Sequence, residues 1–249
     1  MPLTWNVSAP PGQKAKPRLP SGTRIYAIGD VHGRIDLLDA LFRRIDADLE
    51  GYPVKQAIQV FLGDYVDRGP NSREVIDALI ARKREHQMIY LKGNHESFLA
   101  QFLTDPSVLP EWKQGGGIPT LLSYGVKPSK RDEPQELQDV ATAFRQALPA
   151  SHRQFLQSLA LSFTCGDYFF VHAGVRPGTP LSLQHERDLL WIREDFLLHE
   201  EGFDKMIVHG HTPGREPDIR SNRINIDTGA YATGRLTCLV LQDDQMAII

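Results

Sequence analysis

The sequence predicts a single α/β domain built on two stacked sheets. Three observations support this prediction: apolar runs alternate with helical stripes in the first half, the runs lack polar alternation, and five of them end in a polar loop that contains glycine. Apolar runs without alternation are typical of strands that are covered on both faces. Strands that alternate with helices are typical of a parallel sheet with crossover connections.

The first half predicts three strands separated by two amphipathic helices. The predicted strands are Arg24–Ile28, Ala57–Leu62 and Met88–Leu91. The apolar stripes that predict the helices are Leu38, Leu41, Phe42, Ile45 and Leu49, and then Val75, Ile76, Leu79 and Ile80. The stripes recur every three or four residues, so one face of each helix is expected to pack on the sheet.

The second half predicts further strands after a less regular middle segment. Residues 104–150 predict a cap-like segment with one amphipathic helix, and no internal repeat accompanies it. The later predicted strands are Tyr168–Val171, Met206–Val208, Arg223–Ile226, Leu236–Leu241 and Met246–Ile249, the last after a turn at Asp243-Asp244. The domain is therefore expected to span residues 24–249.

Residues 1–23 differ from the rest of the chain. They contain five prolines and no acidic residue, and they lack the apolar stretch of a secretory signal. Because proline opposes a regular helix, this stretch predicts a flexible N-terminal arm.

The composition excludes several classes of protein. The 249 residues carry 28 basic and 31 acidic side chains, a net charge of −3, so charge-driven binding of nucleic acid is not expected. No apolar run approaches the roughly 20 residues that span a bilayer, so no membrane partner is expected. Cys165 and Cys238 fit a reducing compartment, which predicts a cytoplasmic protein, and they exclude a cysteine-only zinc site.

Polar loops follow five of the predicted strands. Their sequences are GDVHG at 29–33, GDYVDRG at 63–69, GNHE at 93–96, VHAG at 171–174 and HGHT at 209–212. Ligands of open α/β sheets bind outside the carboxyl ends of the strands, so these loops are expected to converge. Each loop alone is a weak signal, but five in this order indicate a shared metal site.

The converging side chains combine oxygen and nitrogen ligands. They are Asp30, His32, Asp64, Asn94, His172 and either His209 or His211. This mixture suits Mn, Fe or Zn better than Mg or Ca, and its size suits two metal ions bridged by one carboxylate. The remaining histidines, His86, His152, His185 and His199, lie in polar, helix-like contexts and are expected to be solvated.

These five motifs resemble those of the calcineurin-like metallophosphoesterases. Within that superfamily the chain is most similar to the phosphoprotein phosphatase branch and its short bacterial serine/threonine phosphatases, over Arg24 to Thr228. The resemblance implies a four-layer α/β/β/α sandwich with two divalent metal ions, expected to be Mn with Fe or Zn as alternatives. It also implies a phosphorylated protein or a small phosphoester as substrate.

The resemblance assigns roles to single residues. The implied metal ligands are Asp30 and His32 at one ion, bridging Asp64, and Asn94, His172 and His211 at the other. The implied catalytic and substrate-binding residues are His95 as general acid, Asp67 as its orienting partner, and Arg68, Arg193 and Asn94 toward the phosphate. His211, rather than His209, follows the glycine of the Gly-His element.

Two alternatives to the protein phosphatase remain open. A symmetrical dinucleoside tetraphosphate hydrolase would use the same metals, but that family has Ala before the arginine of the second motif and Asp after the Asn-His pair. This chain has Asp67 and Glu96, which favours the phosphatase. A non-catalytic binding module would have lost ligands, whereas every ligand position is filled here. The HAG sequence at 172–174 departs from the His-Gly-Gly of eukaryotic phosphatases.

Overall fold

The described part of the chain, residues 16–249, forms ten strands and ten α-helices in the computed structural model. The strands are β1 (Thr23–Ile28), β2 (Gln56–Phe61), β3 (Gln87–Tyr90), β4 (Ser162–Cys165), β5 (Tyr168–Val171), β6 (Met206–His209), β7 (Asp218–Ile219), β8 (Arg223–Asn225), β9 (Cys238–Gln242) and β10 (Gln245–Ile248). The helices are α1 (Ile35–Gly51), α2 (Ser72–Arg82), α3 (Asn94–Phe102), α4 (Leu109–Gly115), α5 (Ile118–Ser123), α6 (Pro134–Ala147), α7 (Ala150–Gln157), α8 (Glu186–Trp191), α9 (Glu194–Leu197) and α10 (Ala230–Thr233). No described helix has the length and apolar character needed to cross a bilayer.

The strands form two five-stranded sheets. The first has the order β10-β9-β1-β2-β3, and the second has the order β4-β5-β6-β8-β7. β1, β2 and β3 are parallel, and so are β5, β6 and β8, while β4, β7, β9 and β10 pair antiparallel with their neighbours. Each sheet therefore brings the carboxyl ends of three parallel strands to one edge.

Alternate side chains of each buried strand enter different cores. In β1, Ile25 and Ala27 pack between the sheets, while Tyr26 and Ile28 face α1 and α2 on the outer side. The outer face of the second sheet packs on α8 and α9 through residues such as Phe169 and Phe196. The result is a four-layer α/β/β/α sandwich, which confirms the predicted fold class.

Two edge strands have no counterpart in the sequence prediction. β4 reads Ser-Phe-Thr-Cys and β7 has only two residues, so neither presents an apolar run. Both lie at edges of the second sheet and are half-buried or exposed. Their pairing depends on neighbouring strands rather than on their own composition.

The predicted N-terminal arm lies largely outside the described residues, since residues 1–15 are not among them. The chain is already packed before the predicted boundary at residue 23. The backbone N–H groups of Arg18 and Leu19 donate to the carboxylate of Asp167 and the carbonyl of Asp243, both at 2.9 Å. The Leu19 side chain is buried in the core between the sheets.

The middle segment shares a core with the first sheet. Phe144 of α6 is fully buried, and its ring lies 5.9 Å from that of Phe102, 6.0 Å from that of Trp112 and 5.3 Å from that of Tyr124. These rings belong to the same cluster as the outer face of the first sheet. The helices of the segment therefore form an outer layer of the domain.

We expect Phe144→Ala to lower the free energy of unfolding by about 3–5 kcal/mol, because it leaves a cavity among large rings. A shared core predicts one cooperative transition by both circular dichroism and tryptophan fluorescence in a urea titration. Leu122→Ala, at an exposed position of α5, is the control and should change stability by about 0.5 kcal/mol or less. Two separate transitions in the Phe144 variant would show that the middle segment unfolds independently.

Candidate metal centre

The polar loops after the parallel strands meet at one place in the structure. Three come from the first sheet, after β1, β2 and β3, and two from the second, after β5 and β6. All six predicted ligands are buried there: Asp30, His32, Asp64, Asn94, His172 and His211. His32 and Asp64 form one group with His95, and Asp64 forms a second group with His172 and His211. Asp64 thus belongs to both groups.

Several of these residues have an uncommon backbone conformation. His32, Asp64 and His211 have φ angles of 46°, 53° and 67°, and Asp67 and Arg68 have φ angles of 71° and 65°. Residues other than glycine rarely adopt this left-handed conformation, and each such residue costs about 1–3 kcal/mol of folding free energy. These conformations orient the side chains that follow each strand toward the cluster.

Backbone carbonyls fix the tautomers of two imidazoles. The Nδ1–H of His32 donates to the carbonyl of Val66 at 2.8 Å, and the Nδ1–H of His172 donates to the carbonyl of Leu62 at 2.9 Å. A carbonyl can only accept, so in the neutral imidazole each Nε2 carries a lone pair. The Nε2 of His32 lies 3.5 Å from a carboxylate oxygen of Asp64 and has no hydrogen-bond partner.

The second group brings oxygen and nitrogen atoms into close contact. Asn94 Oδ1 lies 2.9 Å from both His172 Nε2 and His211 Nδ1, and these two nitrogens are 3.2 Å apart. His172 Nε2 lies 3.4 Å from Asp64 Oδ1. Atoms bound about 2.1 Å from one cation, at octahedral or tetrahedral angles, are themselves about 3.0–3.4 Å apart. The spacing of these four side chains therefore fits a divalent cation.

The electrostatics of the cluster also favour a cation. Burial raises the pKa of Asp30 well above its usual range, and the carboxylates of Asp227 and Asp64 raise it further. Burial lowers the pKa of His32 to about 3 and that of His211 to about 2, so both imidazoles are neutral, which is the form that binds metal.

His95 is held by a second buried carboxylate. Its Nδ1 lies 2.7 Å from Asp67, and Asp67 also accepts from the indole N–H of Trp112 at 2.8 Å and the hydroxyl of Thr120 at 2.5 Å. The other ring nitrogen, Nε2, lies 3.8 Å from a carboxylate oxygen of Asp64. Burial lowers the pKa of His95, but Asp64 and Asp67 raise it more, so the net shift is upward. The protonated imidazole is thereby favoured.

Both predicted arginines lie beside the cluster. The guanidinium of Arg68 lies 4.8 Å from the centre of the Tyr231 ring. The pKa of His32 is lowered mainly by burial, less by the charge of His95, and less again by the charge of Arg68. Arg193 donates to the hydroxyl of Thr212 at 3.3 Å, and its charge is among the smaller effects that lower the pKa of His211. The two guanidinium groups thus approach different groups of the cluster, and their binding of phosphate stays a prediction.

Glu96 supports the turn after β2. Its carboxylate accepts from the backbone N–H groups of Asp64, Tyr65 and Gly93 at 2.8–2.9 Å. A side chain at Gly93 would collide with Asp64, so the close approach of these two loops requires glycine. In the sequence analysis Glu96 favoured a protein phosphatase. In the structure its carboxylate binds backbone N–H groups and does not project into the space above the cluster. Its identity therefore carries little information about substrate.

The sequence prediction missed Asp227. This residue is buried beside Asp30, and the backbone N–H of Gly229 donates to its carboxylate at 2.8 Å. Burial raises its pKa to about 6. The signal was present, because Asp227 directly follows the predicted strand Arg223–Ile226, and Asp30 and Asp64 likewise lie within two residues of the end of a predicted strand. Trp112 and Thr120 carried no such signal.

Two other histidines, His209 and His152, are buried outside the set of predicted ligands. His209 is buried but points away from the cluster, with its ring edge-on to Phe196 at 4.9 Å. The prediction that His152 is solvated is wrong. His152 is fully buried, with Nδ1 2.8 Å from the Tyr124 hydroxyl and Nε2 2.8 Å from the carboxylate of Asp77. Its two partners come from α2 and the end of α5, which the local sequence does not reveal.

We expect Asp64→Asn to lose bound metal at both groups, because Asp64 is the ligand that they share. The measurement is metal content by plasma mass spectrometry after Mn²⁺ loading and dialysis. Asp39→Asn, at an exposed position of α1, is the matched control and should keep its metal. Unchanged metal content in the Asp64 variant would contradict the shared role.

Comparison with known proteins places these features in a family. The family model of calcineurin-like phosphoesterases matches residues 23–243. A protein named bis(5'-nucleosyl)-tetraphosphatase PrpE [asymmetrical] from Anoxybacillus flavithermus is 27% identical over 232 residues, which cover 85% of this chain and 88% of that protein. The protein of the same name from Bacillus subtilis is 26% identical, over 84% of this chain and 87% of that one.

Solved structures show the same fold at lower identity. A protein provisionally assigned as a diadenosine tetraphosphatase matches with a TM-score of 0.59 and 19% identity, over 93% of this chain and 97% of its own. A serine/threonine phosphatase from Saccharomyces cerevisiae matches with a TM-score of 0.58 and 18% identity, over 92% of this chain and 79% of its own. With the family model spanning nearly all of the described residues, the chain belongs to the calcineurin-like phosphoesterase family.

Proposed function

We propose that this chain hydrolyses bis(5'-nucleosyl) tetraphosphates at a divalent metal centre, with asymmetrical cleavage. The observation that carries this proposal is the likeness to proteins named as asymmetrical bis(5'-nucleosyl)-tetraphosphatases, which spans about 85% of this chain. The sequence alone favoured a serine/threonine protein phosphatase. That preference depended on Asp67 and Glu96, and both side chains are engaged with the protein itself.

The cluster supplies ligands for two divalent cations. One would be held by Asp30, His32 and Asp64, and the other by Asp64, Asn94, His172 and His211. Such ions supply Lewis-acid polarisation of phosphoryl oxygens and a water of lowered pKa. Because nitrogen and oxygen ligands are mixed, we propose Mn²⁺, with Fe or Zn as alternatives. The free thiols of Cys165 and Cys238 are consistent with action in the cytoplasm.

The chain's own side chains would bind and orient the phosphates. Arg68 and Arg193 approach the cluster from its two groups, and a guanidinium matches the paired oxygens of a phosphate. A phosphate between them would satisfy both charges at once. His95 would protonate the leaving oxygen, since its Nε2 faces the cluster and Asp67 holds its Nδ1.

A serine/threonine phosphatase is the second candidate, and the His95–Asp67 pair favours it. Asp67 accepts from three side chains, so the imidazole is firmly oriented. Proton donation matters most for a poor leaving group such as the alkoxide of serine. A nucleotide leaving group ionises near neutral pH and needs a proton less.

We expect the purified, Mn²⁺-loaded protein to hydrolyse diadenosine tetraphosphate with a higher kcat/KM than phosphoserine or phosphothreonine peptides. Asymmetrical cleavage adds one water and yields ATP and AMP, which chromatography separates from the two ADP molecules of symmetrical cleavage. Asp64→Asn, purified in parallel, controls for contaminating phosphatases. Peptides as the better substrates would favour the second candidate, and ADP as the sole product would contradict asymmetrical cleavage.

We expect His95→Ala to slow hydrolysis of a phosphoserine peptide by about 10²–10⁴-fold, and to slow that of p-nitrophenyl phosphate much less. The nitrophenolate leaves without a proton, whereas the serine alkoxide does not. Asp67→Asn should act in the same direction more weakly, because it only orients the imidazole. Steady-state kcat on both substrates is the measurement. Equal losses on the two substrates would remove the general-acid role of His95.

A further inference from the structure

A large aromatic side chain is exposed at the edge of the metal cluster. Trp191, the last residue of α8, is 40% exposed. Its ring lies edge-on to His211 at 6.2 Å and to Phe98 at 5.5 Å. These contacts fix the orientation of the indole while leaving much of it open to solvent. An exposed, oriented aromatic ring beside a site of chemistry suggests a ligand contact.

Trp191 also lines a groove whose lining includes none of the predicted metal ligands. Its volume is about 680 Å³, and its lining includes His185, Arg187, Trp191 and Arg193. Arg176 also lines it, but its guanidinium is paired with Asp188 and Asp195 at 2.6 and 3.2 Å. A groove of this size accommodates a nucleoside, and small-molecule sites are commonly of about 300–1,000 Å³.

Arg193 connects the groove to the cluster. It lies two residues after Trp191, it lines the groove, and it contacts Thr212, which directly follows the predicted ligand His211. The contact that its side chain makes, at 3.3 Å, is with a neutral hydroxyl, that of Thr212. A phosphate attached to a nucleoside in the groove would therefore pass a guanidinium on its way to the metal ligands.

We propose that Trp191 is a stacking platform for the base of a nucleotide whose phosphate passes Arg193 into the metal cluster. The proposal rests on the proposed function and assigns its base-recognition residue. Stacking on an aromatic side chain tolerates any base, because every base has a π-face. A nucleoside phosphate is therefore expected to bind more tightly than the same sugar phosphate without a base.

Tyr231 offers a matched control beside His32. It is also 40% exposed, and its ring lies edge-on to His32 at 5.5 Å, in the other group of the cluster. However, the Arg68 guanidinium already lies over its ring. Trp191 has no such partner among the described residues, so it is the better platform.

The test compares inhibition by AMP and by ribose 5-phosphate, with p-nitrophenyl phosphate as substrate and Mn²⁺-loaded full-length protein. The base should make AMP the stronger inhibitor of the wild type by about 5- to 150-fold, the range expected of one stacked base. Trp191→Ala should bring the ratio of the two inhibition constants close to one. Trp191→Phe should keep most of it, and Tyr231→Ala should leave it unchanged. Equilibrium dialysis of AMP and of ribose 5-phosphate checks the same ratios without turnover.

Three outcomes would overturn the proposal: no preference for AMP in the wild type, a preference that survives Trp191→Ala, or one that disappears in Tyr231→Ala alone. Hydrolysis of diadenosine tetraphosphate is scored separately. Hydrolysis without a base preference would refute the platform and leave the proposed function intact. A Trp191-dependent preference without that hydrolysis would refute the proposed function and support a nucleotide site at Trp191.

Discussion

The carboxylate of Asp64 is the group on which the rest of the site depends. It lies between imidazole nitrogens whose lone pairs face inward, because the carbonyls of Leu62 and Val66 take the other ring protons. Bare nitrogens and a carboxylate repel one another, and the backbone N–H of His95, which donates to Asp64 Oδ1 at 3.2 Å, does not lie between the carboxylate and those nitrogens as a shared donor. A cation resolves the repulsion, so the folded chain is arranged around a charge that it does not itself supply.

The same arrangement joins the two sheets at one edge. Asp64 follows a strand of the first sheet, while His172 and His211 follow strands of the second. Asp64 of the first sheet thus meets His172 and His211 of the second sheet at the site. Elsewhere the apolar core between the sheets sets their spacing. The strained φ angles of Asp64 and His211 are stabilised by this double anchoring. Metal binding and folding of the site are therefore linked.

The sequence predicted what depends on local pattern. Buried strands appear as apolar runs, and the residue after a parallel strand must lie at the sheet edge, so Asp30, Asp64 and Asn94 could be placed without a structure. Asp227 obeys the same rule and could have been found by applying it to one more strand. His152 and Thr120 could not, because their partners Asp77 and Asp67 are 75 and 53 residues away in the chain. The motifs also could not predict the substrate. Glu96, which lies within a motif, binds the backbone, and Trp191, which lines the groove, lies outside the motifs.

The bonds from Trp112 and Thr120 to Asp67 have a consequence for how the enzyme can lose activity. Both donors belong to the helical layer of the middle segment, whereas the metal ligands belong to the strand ends of the two sheets. Loosening of that layer by heat, or by sequence drift over evolution, would disorient His95 while leaving the cluster assembled. With His95 as the proposed general acid, such a protein would still cleave activated esters and would fail first on substrates that need a proton. Variation in this one layer could thus divide relatives by leaving group without any change in the metal ligands.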